Sequence, residues 1–394
     1  MTAEPNDPHN TVRLVVNGQE YGGWKSVRIE AGIERQCRSF DLGVTDRWPG
    51  QTDIPRRIVP GDACQVFIGA DLVLTGYVDG TPVRYDADSV GVGVKGRSKT
   101  ADLVDCCPVP AGESLSAVVA QWRTQQLPGV AKPPPKSAVQ WRGQKLEQIA
   151  AALAAPYGVR VVAEVDTGKA IADHQVQQGE SVFESIDRMM RLRHVLSTDN
   201  GQGDLVLITV ASGGRATTAL ELGVNIKTGA AELDYKGVFS DYIVKGQRAG
   251  DDESFAGDVA EGEGTSLAAD SRAKRRRVLV IKQSGQADEG TCQERANYER
   301  AHRAAKALQA SYTVVGWRQQ DGTLWQPNQL VRVRDPIIGF DADMLVAEVA
   351  WVLDAKGLRT EVRVGPPDGY VNKVGQLKAA KSQKGGGDAW SDVK

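Results

Sequence analysis

Apolar and polar residues alternate with a period of two through the first hundred positions, which is typical of β-strands. The alternation predicts short strands at residues 12–16, 27–29, 40–44, 64–68, 72–78 and 90–95. Asn17-Gly18 follows the first strand, and this dipeptide favours the tight turn of a hairpin. Short strands at this spacing predict a barrel or a sandwich.

The period becomes that of an α-helix after residue 144. One helical face would carry Leu146, Ile149, Ala150 and Leu153, and the helix is predicted to end near Pro156-Tyr-Gly158. Ser181-Val-Phe-Glu184 fits a capping box and predicts the start of a second helix. Residues 195–196 and 205–208 flank a turn-forming sequence, which predicts a hairpin. This part of the chain is therefore predicted to be a small α+β module.

The last third returns to alternating patterns, with one helix inserted. Strands are predicted at residues 242–245 and 278–281, and residues 249–270 are acidic and rich in Gly and Ser, which predicts a mobile loop. Thr291-x-x-Glu294 predicts the cap of a helix that ends near Gln309.

Two stretches of the chain follow the same plan of proline turn, strand, strand and strand. The first begins at Pro60-Gly-Asp and ends at Gly96, and the second begins at Pro327-Asn-Gln and ends at Gly365. They span 36 and 38 positions, so they match in length as well as in order. Duplication of one β-module would explain the match; because three-stranded meanders are common, a chance resemblance is the alternative.

These patterns predict a mainly β fold with α+β, consisting of two β-barrel modules, a small α+β module and a linker. The predicted segments are a first β-barrel module at 1–110, a linker at 111–140 with a short helix at 114–125 and a Pro-rich stretch at 132–136, the α+β module at 141–215, a second β-barrel module with the acidic loop and the inserted helix at 216–367, and a flexible Lys/Gly-rich tail at 368–394.

Charge and hydropathy narrow the class of protein. The 394 residues include 48 Lys plus Arg and 50 Asp plus Glu, and this near balance argues against bulk electrostatic coating of nucleic acid. No apolar run approaches the roughly 18 residues of a membrane span. The first residues lack the basic and then apolar order of a signal peptide. We therefore expect a soluble protein made in a reducing cytoplasm.

The candidate chemical groups do not form a recognisable catalytic or metal site. Five cysteines, two of them adjacent at Cys106 and Cys107, predict free thiols, with Cys37, Cys64 and Cys292 buried. The four histidines show no ligand spacing. We therefore predict no metal site.

Enzyme motifs are also missing from the sequence. The carboxylate pairs Asp251-Asp252 and Glu261-x-Glu263 fall in the predicted mobile loop, whereas glycoside hydrolysis needs two carboxylates on a rigid cleft. No Gly-x-Ser-x-Gly elbow precedes a helix, and the glycines at 91–96 alternate with valines, which predicts a strand rather than a phosphate loop. We predict neither catalysis nor a cofactor.

Four consecutive basic residues stand out in the sequence and are the candidate for contact with a partner. They form the basic run Lys274, Arg275, Arg276 and Arg277. The run could touch nucleic acid or an acidic protein surface. The alternative is a solvated entrance to the strand that follows, neutralised by the preceding acidic stretch. Four aromatic residues are predicted to fill the core rather than to stack on a ligand: Tyr21, Trp24, Trp317 and Trp325.

Several motifs, in this order, resemble the central baseplate hub proteins of Mu-like contractile-tailed phages. They are Val16-Asn-Gly-x-x-Tyr21-x-x-Trp24-x-x-Val27, Pro60-Gly-Asp with Leu74-Thr-Gly-Tyr-Val78-Asp79, Gly96-Arg-Ser-Lys-Thr-Ala-Asp-Leu-Val-Asp-Cys106, Gly179-Glu-Ser-Val-Phe-Glu-Ser-Ile186, and Gly316-Trp317 through Gly322-x-Leu324-Trp325-x-Pro327-Asn328. The resemblance covers roughly residues 12–367.

The resemblance implies a homotrimeric ring whose subunits each carry two tail-tube-like barrel modules. Such a trimer would join the six-fold tail tube, or a tube-initiating protein, to the three-fold central spike and would surround the axial channel. The implied location is the tail baseplate of the virion, after synthesis and assembly in the host bacterial cytoplasm. Further implied neighbours are the tape-measure protein and the baseplate wedge proteins, while the genome passes through the channel without sequence-specific binding.

A second resemblance gives a different functional class. Residues 176–186 are similar to the start of a peptidoglycan-binding LysM module, which would imply a wall-binding or wall-degrading tail protein. Such a module has a second helix before its closing strand, whereas a hairpin is predicted here directly after the helix. A purely structural α+β module is the alternative.

Overall fold

The computed structural model describes residues 8–45, 58–85, 90–108, 140–193, 195–247, 265–269, 275–286 and 289–371. The predicted helix at 114–125, the Pro-rich stretch at 132–136, the carboxylates at 251–263 and residues 372–394 of the predicted tail lie outside the described residues. The described chain is mainly β with few helices, which agrees with the predicted class.

The first hundred residues contain all six predicted strands and two further short ones. The elements are β1 Val12–Val16, β2 Gln19–Tyr21, β3 Ser26–Gly32, β4 Ser39–Thr45, β5 Ala63–Ile68, β6 Asp71–Gly80, β7 Val83–Tyr85, β8 Val90–Ser98 and helix α1 Ala101–Asp105. Neighbours in the order β3, β4, β8, β6, β5, β1, β2 pair antiparallel. Asn17 and Gly18 both have positive φ, at 51° and 77°, as a tight hairpin turn requires.

The α+β module contains the two predicted helices and the predicted hairpin in the expected order. Its elements are β9 Gln140–Gln144, α2 Leu146–Ala154, β10 Val161–Ala163, β11 Ile171–Gln175, α3 Val182–Arg193, β12 Leu196–Asp199 and β13 Leu205–Ile208. Strands β9 and β11 were not predicted. The capping box is confirmed: the Ser181 amide donates to Glu184 Oε2 at 2.7 Å, and the Glu184 amide donates to Ser181 Oγ at 3.2 Å. The hairpin of β12 and β13 is confirmed as well.

Helix α2 buries the face that the sequence predicts, and α3 buries an apolar face as well. Their buried side chains form one cluster with β13, made of Leu146, Ile149, Ala150, Leu153, Val182, Ile186, Met189, Leu205 and Leu207. Burial of such a continuous apolar cluster is the main force that holds the short elements together.

The last third of the described chain contains nine strands and one helix. They are β14 Leu220–Glu221, β15 Ile226–Glu232, β16 Asp241–Gln247, β17 Thr265–Ala269, β18 Val278–Gln286, α4 Glu289–Lys306, β19 Gln309–Val315, β20 Leu330–Asp335, β21 Phe340–Asp354 and β22 Gly357–Gly365. The strands predicted at 242–245 and 278–281 are confirmed, and they pair parallel as β16 and β18.

Two predictions for this region are wrong in part. The mobile loop predicted at 249–270 does not extend over Thr265–Ala269, which forms β17 and pairs antiparallel with β16. The available edge of β16 supplies backbone partners, and such tertiary context outweighs the weak local strand signal. The inserted helix begins at Glu289, before the predicted cap, and ends at Lys306, because Gln309 already belongs to β19.

The chain divides into two compact units that are each built from separate stretches of sequence. The first unit comprises Met1–Ser212, Val315–Pro327 and Glu348–Glu361, and the second comprises Gly213–Val314, Asn328–Ala347 and Val362–Lys394. The predicted domain boundaries at 110, 140, 215 and 367 stay predictions.

The two stretches that share a plan in the sequence are both three-stranded meanders. In the early one, β5, β6 and β8 are consecutive antiparallel neighbours. In the late one, β20, β21 and β22 are neighbours in the same order. Among the described residues of either unit, the strands do not close into a barrel.

Large aromatic side chains fill the core of the first unit. Trp317 and Trp325 are almost completely buried, and Tyr21 and Trp24 are less than 9% exposed, so core filling is confirmed for all four. The indole Nε1 of Trp317 donates to Val352 O at 3.1 Å and to Arg359 O at 3.0 Å. The buried indole is thus hydrogen-bonded to the strands around it.

Candidate functional site

Exposed apolar side chains are concentrated on the second unit. Among the described residues, ten large apolar side chains are exposed, and seven of them lie in this unit: Leu222, Val224, Leu233, Tyr235, Val278, Val280 and Ile337. Single exposed apolar residues are normal, whereas a group of them marks a candidate interaction surface. Two of them, Val278 and Val280, lie on the same strand, β18.

A three-stranded sheet of the second unit is covered by a helix on one face. Tyr242 and Val244 of β16 are buried against Cys292 and Ala296 of α4, and Leu279 and Ile281 of β18 pack on the same cluster. Side chains alternate between the two faces of a strand. The intervening residues of β16 and β18 therefore lie on the face opposite the helix.

That opposite face has an apolar centre, which we call the β18 face: Ile243, Val278 and Val280. Ile243 is the register partner of Val280, so these two side chains are neighbours on the sheet. Val278 is 41% exposed and Val280 is 57% exposed, although both stand on a regular strand. The sequence pattern predicts the strand but carries no signal of which face a helix covers, so sequence analysis did not identify this surface.

The basic run divides into residues with different roles. The Arg277 guanidinium donates to the carbonyls of Tyr235 and Lys236 and lies 4.8 Å from the centre of the Phe239 ring. Its amide donates to Ser240 Oγ at 2.7 Å. Arg277 therefore fastens a turn to the start of β18. Arg275 and Arg276 are exposed, and Lys274 lies outside the described residues.

Four cations surround the β18 face. Arg275 and Arg276 precede the strand, and the exposed Lys245 and Lys282 are register partners farther along the sheet. None of the four forms an ion pair with another described residue. The carboxylate on this face, Asp241, accepts a hydrogen bond from Ser240 Oγ at 2.7 Å. The result is an apolar surface with a positive rim, which attracts carboxylates.

A buried ion pair joins the α+β module to the strands of the first unit. The Arg38 amide donates to Asp199 Oδ2 at 2.8 Å, and its Nε donates to Oδ1 at 3.2 Å. One terminal nitrogen of Arg38 donates to Val73 O at 2.9 Å, and the other to Asp199 O at 3.2 Å. Burial raises the pKa of the Asp199 carboxyl, while the Arg38 guanidinium and its hydrogen bonds oppose that rise. Because its polar atoms are already paired, we interpret this pair as structural.

The turn after β12 lies directly on β6. Thr75 Oγ1 donates to Gly201 O at 2.8 Å, and a Cβ at Gly201 would stand 2.1 Å from Leu72 O. The turn and the Arg38–Asp199 pair together form a contact that we call the module seam.

We expect Gly201→Ala to destabilise the module seam by about 1–3 kcal/mol, because overpacking against a backbone oxygen forces the turn away from β6. Chemical unfolding followed by tryptophan fluorescence measures this. Gly80→Ala is the control, since a Cβ there meets nothing within 4 Å. Equal unfolding midpoints for the two variants would contradict the close approach.

Several other reactive groups of the described chain are buried or half-buried, whereas the Cys107 thiol is exposed. His174 Nε2 lies 2.9 Å from Ser185 Oγ, but Ser185 is fully buried, so no substrate can reach this serine. Burial lowers the pKa of His174 and raises the pKa of Cys37 to about 11 and of Cys64 to about 12. Cys64 and Cys292 are buried, as predicted, and Cys37 is half-buried. Thiols of this kind are poor nucleophiles.

Two further observations concern function classes raised by the sequence. Strand β12 begins at Leu196, three residues after α3 ends, so the hairpin follows that helix directly, unlike the order expected of a LysM module. Within the described ranges, no helix has both the length and the apolar character needed to cross a membrane.

Three family descriptions match successive parts of the chain. Residues 11–98 match the N-terminal domain of the Mu phage baseplate assembly protein GpP-like family. Residues 124–209 match the second domain of the baseplate hub protein gp44-like family, and residues 288–373 match the fourth domain of the Mu phage baseplate assembly protein GpP.

Whole-chain comparisons agree with these matches. The chain is 34% identical to the baseplate hub protein gp44 of Escherichia phage Mu over 386 residues, which is 96% of this chain and 93% of that protein. It resembles the crystal structure of the 43 kDa tail protein of prophage MuSo2 from Shewanella oneidensis with a TM-score of 0.75 and 30% identity, over 92% of this chain and 100% of the other. A tail protein from Neisseria meningitidis shares the fold, with a TM-score of 0.70, 21% identity, and coverage of 92% and 98%.

The motif resemblance is thereby confirmed along nearly the whole sequence. The chain belongs to the Mu gp44-like family of phage baseplate hub proteins.

Proposed function

We propose that this baseplate hub acts as a homotrimer that joins a six-fold tail tube to a three-fold central spike and surrounds the axial channel. The observation that carries the proposal is the presence of two meanders of the same order in one chain, β5–β6–β8 and β20–β21–β22. Three copies would present six similar modules to the tube and three copies of every other surface to the spike.

Tube-like modules at residues 1–110 and 216–367, with the α+β module at 141–215 between them, are part of this proposal. The first stretch contains β1 to β8 and the last contains β14 to β22. Barrel closure would then come from pairing of strand edges, since unpaired edge amides and carbonyls readily bond a neighbouring strand.

The partners follow from the position of such a hub. The central spike would bind below, and the tail tube or a tube-initiating protein above, with the tape-measure protein and baseplate wedge proteins nearby. The formal charge of −2 suits a channel through which the genome passes without sequence-specific binding. The protein would be made and assembled in the host bacterial cytoplasm and would reside in the virion tail, with neither catalysis nor a cofactor of its own.

The basic run supplies the partner contact in this proposal. Arg275 and Arg276 are exposed beside the apolar β18 face, and Lys274 precedes them in the sequence. We expect neutral replacements of Arg275 and Arg276 to weaken the association of the hub with a partner protein and to make that association less dependent on salt. Arg277→Gln is expected to disturb the turn at Tyr235 instead, because its guanidinium holds that turn.

The mass of the purified protein in solution, measured with and without the candidate spike, tests the proposal. We expect a species of three times the mass of the 394-residue chain, either alone or on addition of the spike. A monodisperse monomer at assembly concentrations, with no trimer on spike addition, would contradict it. Titration with peptidoglycan is the parallel test of the wall-binding alternative, for which we expect no saturable binding.

A further inference from the structure

The β18 face is apolar and exposed, although the opposite face of the same sheet is covered by a helix. Val278 and Val280 are exposed at alternate positions of a regular strand, and Ile243 stands beside Val280 on the same face. On the opposite face, α4 covers the sheet with a packed cluster. An apolar sheet face left open on one side is a candidate contact for another polypeptide.

The backbone of β18 offers a second means of contact. Within the described strands, the sheet has the order β17, β16, β18, so β18 is paired along one edge only. It is nine residues long, from Val278 to Gln286. An edge strand that begins with the apolar run 278–281, of which Val278 and Val280 are exposed, is a ready partner for another chain.

The charges around the face indicate which kind of contact it makes. Two copies that met through the same face would bring four cations against four cations: Lys245, Arg275, Arg276 and Lys282. Like charges brought together in this way oppose a two-fold contact. The formal charge of the chain changes from −2 to −6 when these four cations are set aside, so the rest of a second copy is net acidic.

We propose that the β18 face of one copy binds a different surface of the next copy, head to tail, and so closes the ring of the hub. This inference rests on the trimer of the proposed function and adds the surface through which its subunits meet. A head-to-tail contact uses two unlike surfaces and closes into a ring when its rotation allows. A permanent contact between subunits is expected to have an apolar centre, as this face has.

The experiment compares three variants with the wild-type chain by analytical ultracentrifugation over a range of concentrations, in the presence of the candidate spike. Val280→Lys places a charge at the apolar centre, and Arg275→Glu/Arg276→Glu reverses part of the rim. Val83→Lys is the matched control, because Val83 is 55% exposed on a strand of the first unit. Thermal unfolding of each variant checks the fold, which exposed positions should preserve.

We expect Val280→Lys to weaken trimer formation by tenfold or more, and the double charge reversal to weaken it most at low salt. Val83→Lys should assemble like the wild type. A wild-type trimer that persists unchanged in Val280→Lys and in the double variant would overturn the inference and leave the proposed trimer intact. Loss of spike binding alone in Val280→Lys, with the trimer unchanged, would also overturn the inference, because the face would then contact the spike. A wild-type chain that stays monomeric would overturn the proposed function itself.

Discussion

Replacement of Asp199 by alanine is expected to lower the free energy of unfolding by about 3–5 kcal/mol, because it leaves the buried Arg38 guanidinium without its carboxylate. The Arg38 side chain is 8% exposed and that of Asp199 is 1% exposed, so water cannot replace the lost partner. Chemical unfolding followed by tryptophan fluorescence measures the loss. Hydrogen exchange should also increase in β12 and β13, whose hairpin Asp199 holds to Arg38.

An exposed ion pair of the same unit provides the control. Arg13 and Glu20 lie 3.2 Å apart with side chains 35% and 55% exposed, and we expect Glu20→Gln to change stability by less than about 1 kcal/mol. The double variant Arg38→Met/Asp199→Leu should recover much of the loss, since an apolar pair leaves no buried charge. An Asp199→Ala variant as stable as Glu20→Gln would show that the pair does not hold the module seam.

Trp317→Ala is expected to lower the free energy of unfolding by about 3–5 kcal/mol, because it removes a fully buried indole and leaves a cavity. The carbonyls of Val352 and Arg359 also lose their donor. Unfolding should be followed by circular dichroism here, since the variant changes the tryptophan signal.

Trp317→Phe separates the two contributions. Trp317→Phe keeps most of the apolar volume and removes the Nε1 donor. We therefore expect it to lower the free energy of unfolding by less than Trp317→Ala does. If Trp317→Ala unfolded at the same denaturant concentration as the wild type, Trp317 would not be a core residue of the first unit.

Local signals in the sequence predicted the elements whose causes are themselves local. The dipeptide Asn17-Gly18 alone forms the hairpin turn. Ser181 and Glu184, three positions apart, accept hydrogen bonds from each other's backbone amides at the start of α3. The buried helical faces follow from spacing alone. Strand β17 was predicted as part of a mobile loop, and it is a strand because it pairs with β16. Strands β9, β11, β15 and β19 were not predicted from the sequence.

Contacts between distant residues could not be predicted in this way. Arg38 and Asp199 are 161 positions apart, and nothing in the local sequence of either residue indicates the other. The sequence predicted one role, partner contact, for the whole basic run. In the fold, Arg277 donates to the carbonyl of Tyr235, whereas Arg275 and Arg276 are exposed. The alternation at 278–281 indicated a strand, while only the position of α4 shows which of its faces stays open.

The discontinuous make-up of the first unit has a consequence for synthesis on the ribosome. Its strand β3 pairs with residues 348–353, and Trp317 is hydrogen-bonded to the carbonyls of Val352 and Arg359. A nascent polypeptide cannot complete this core until more than nine-tenths of its length has emerged from the exit tunnel. A chain that ends before residue 361 therefore cannot complete the core of the first unit.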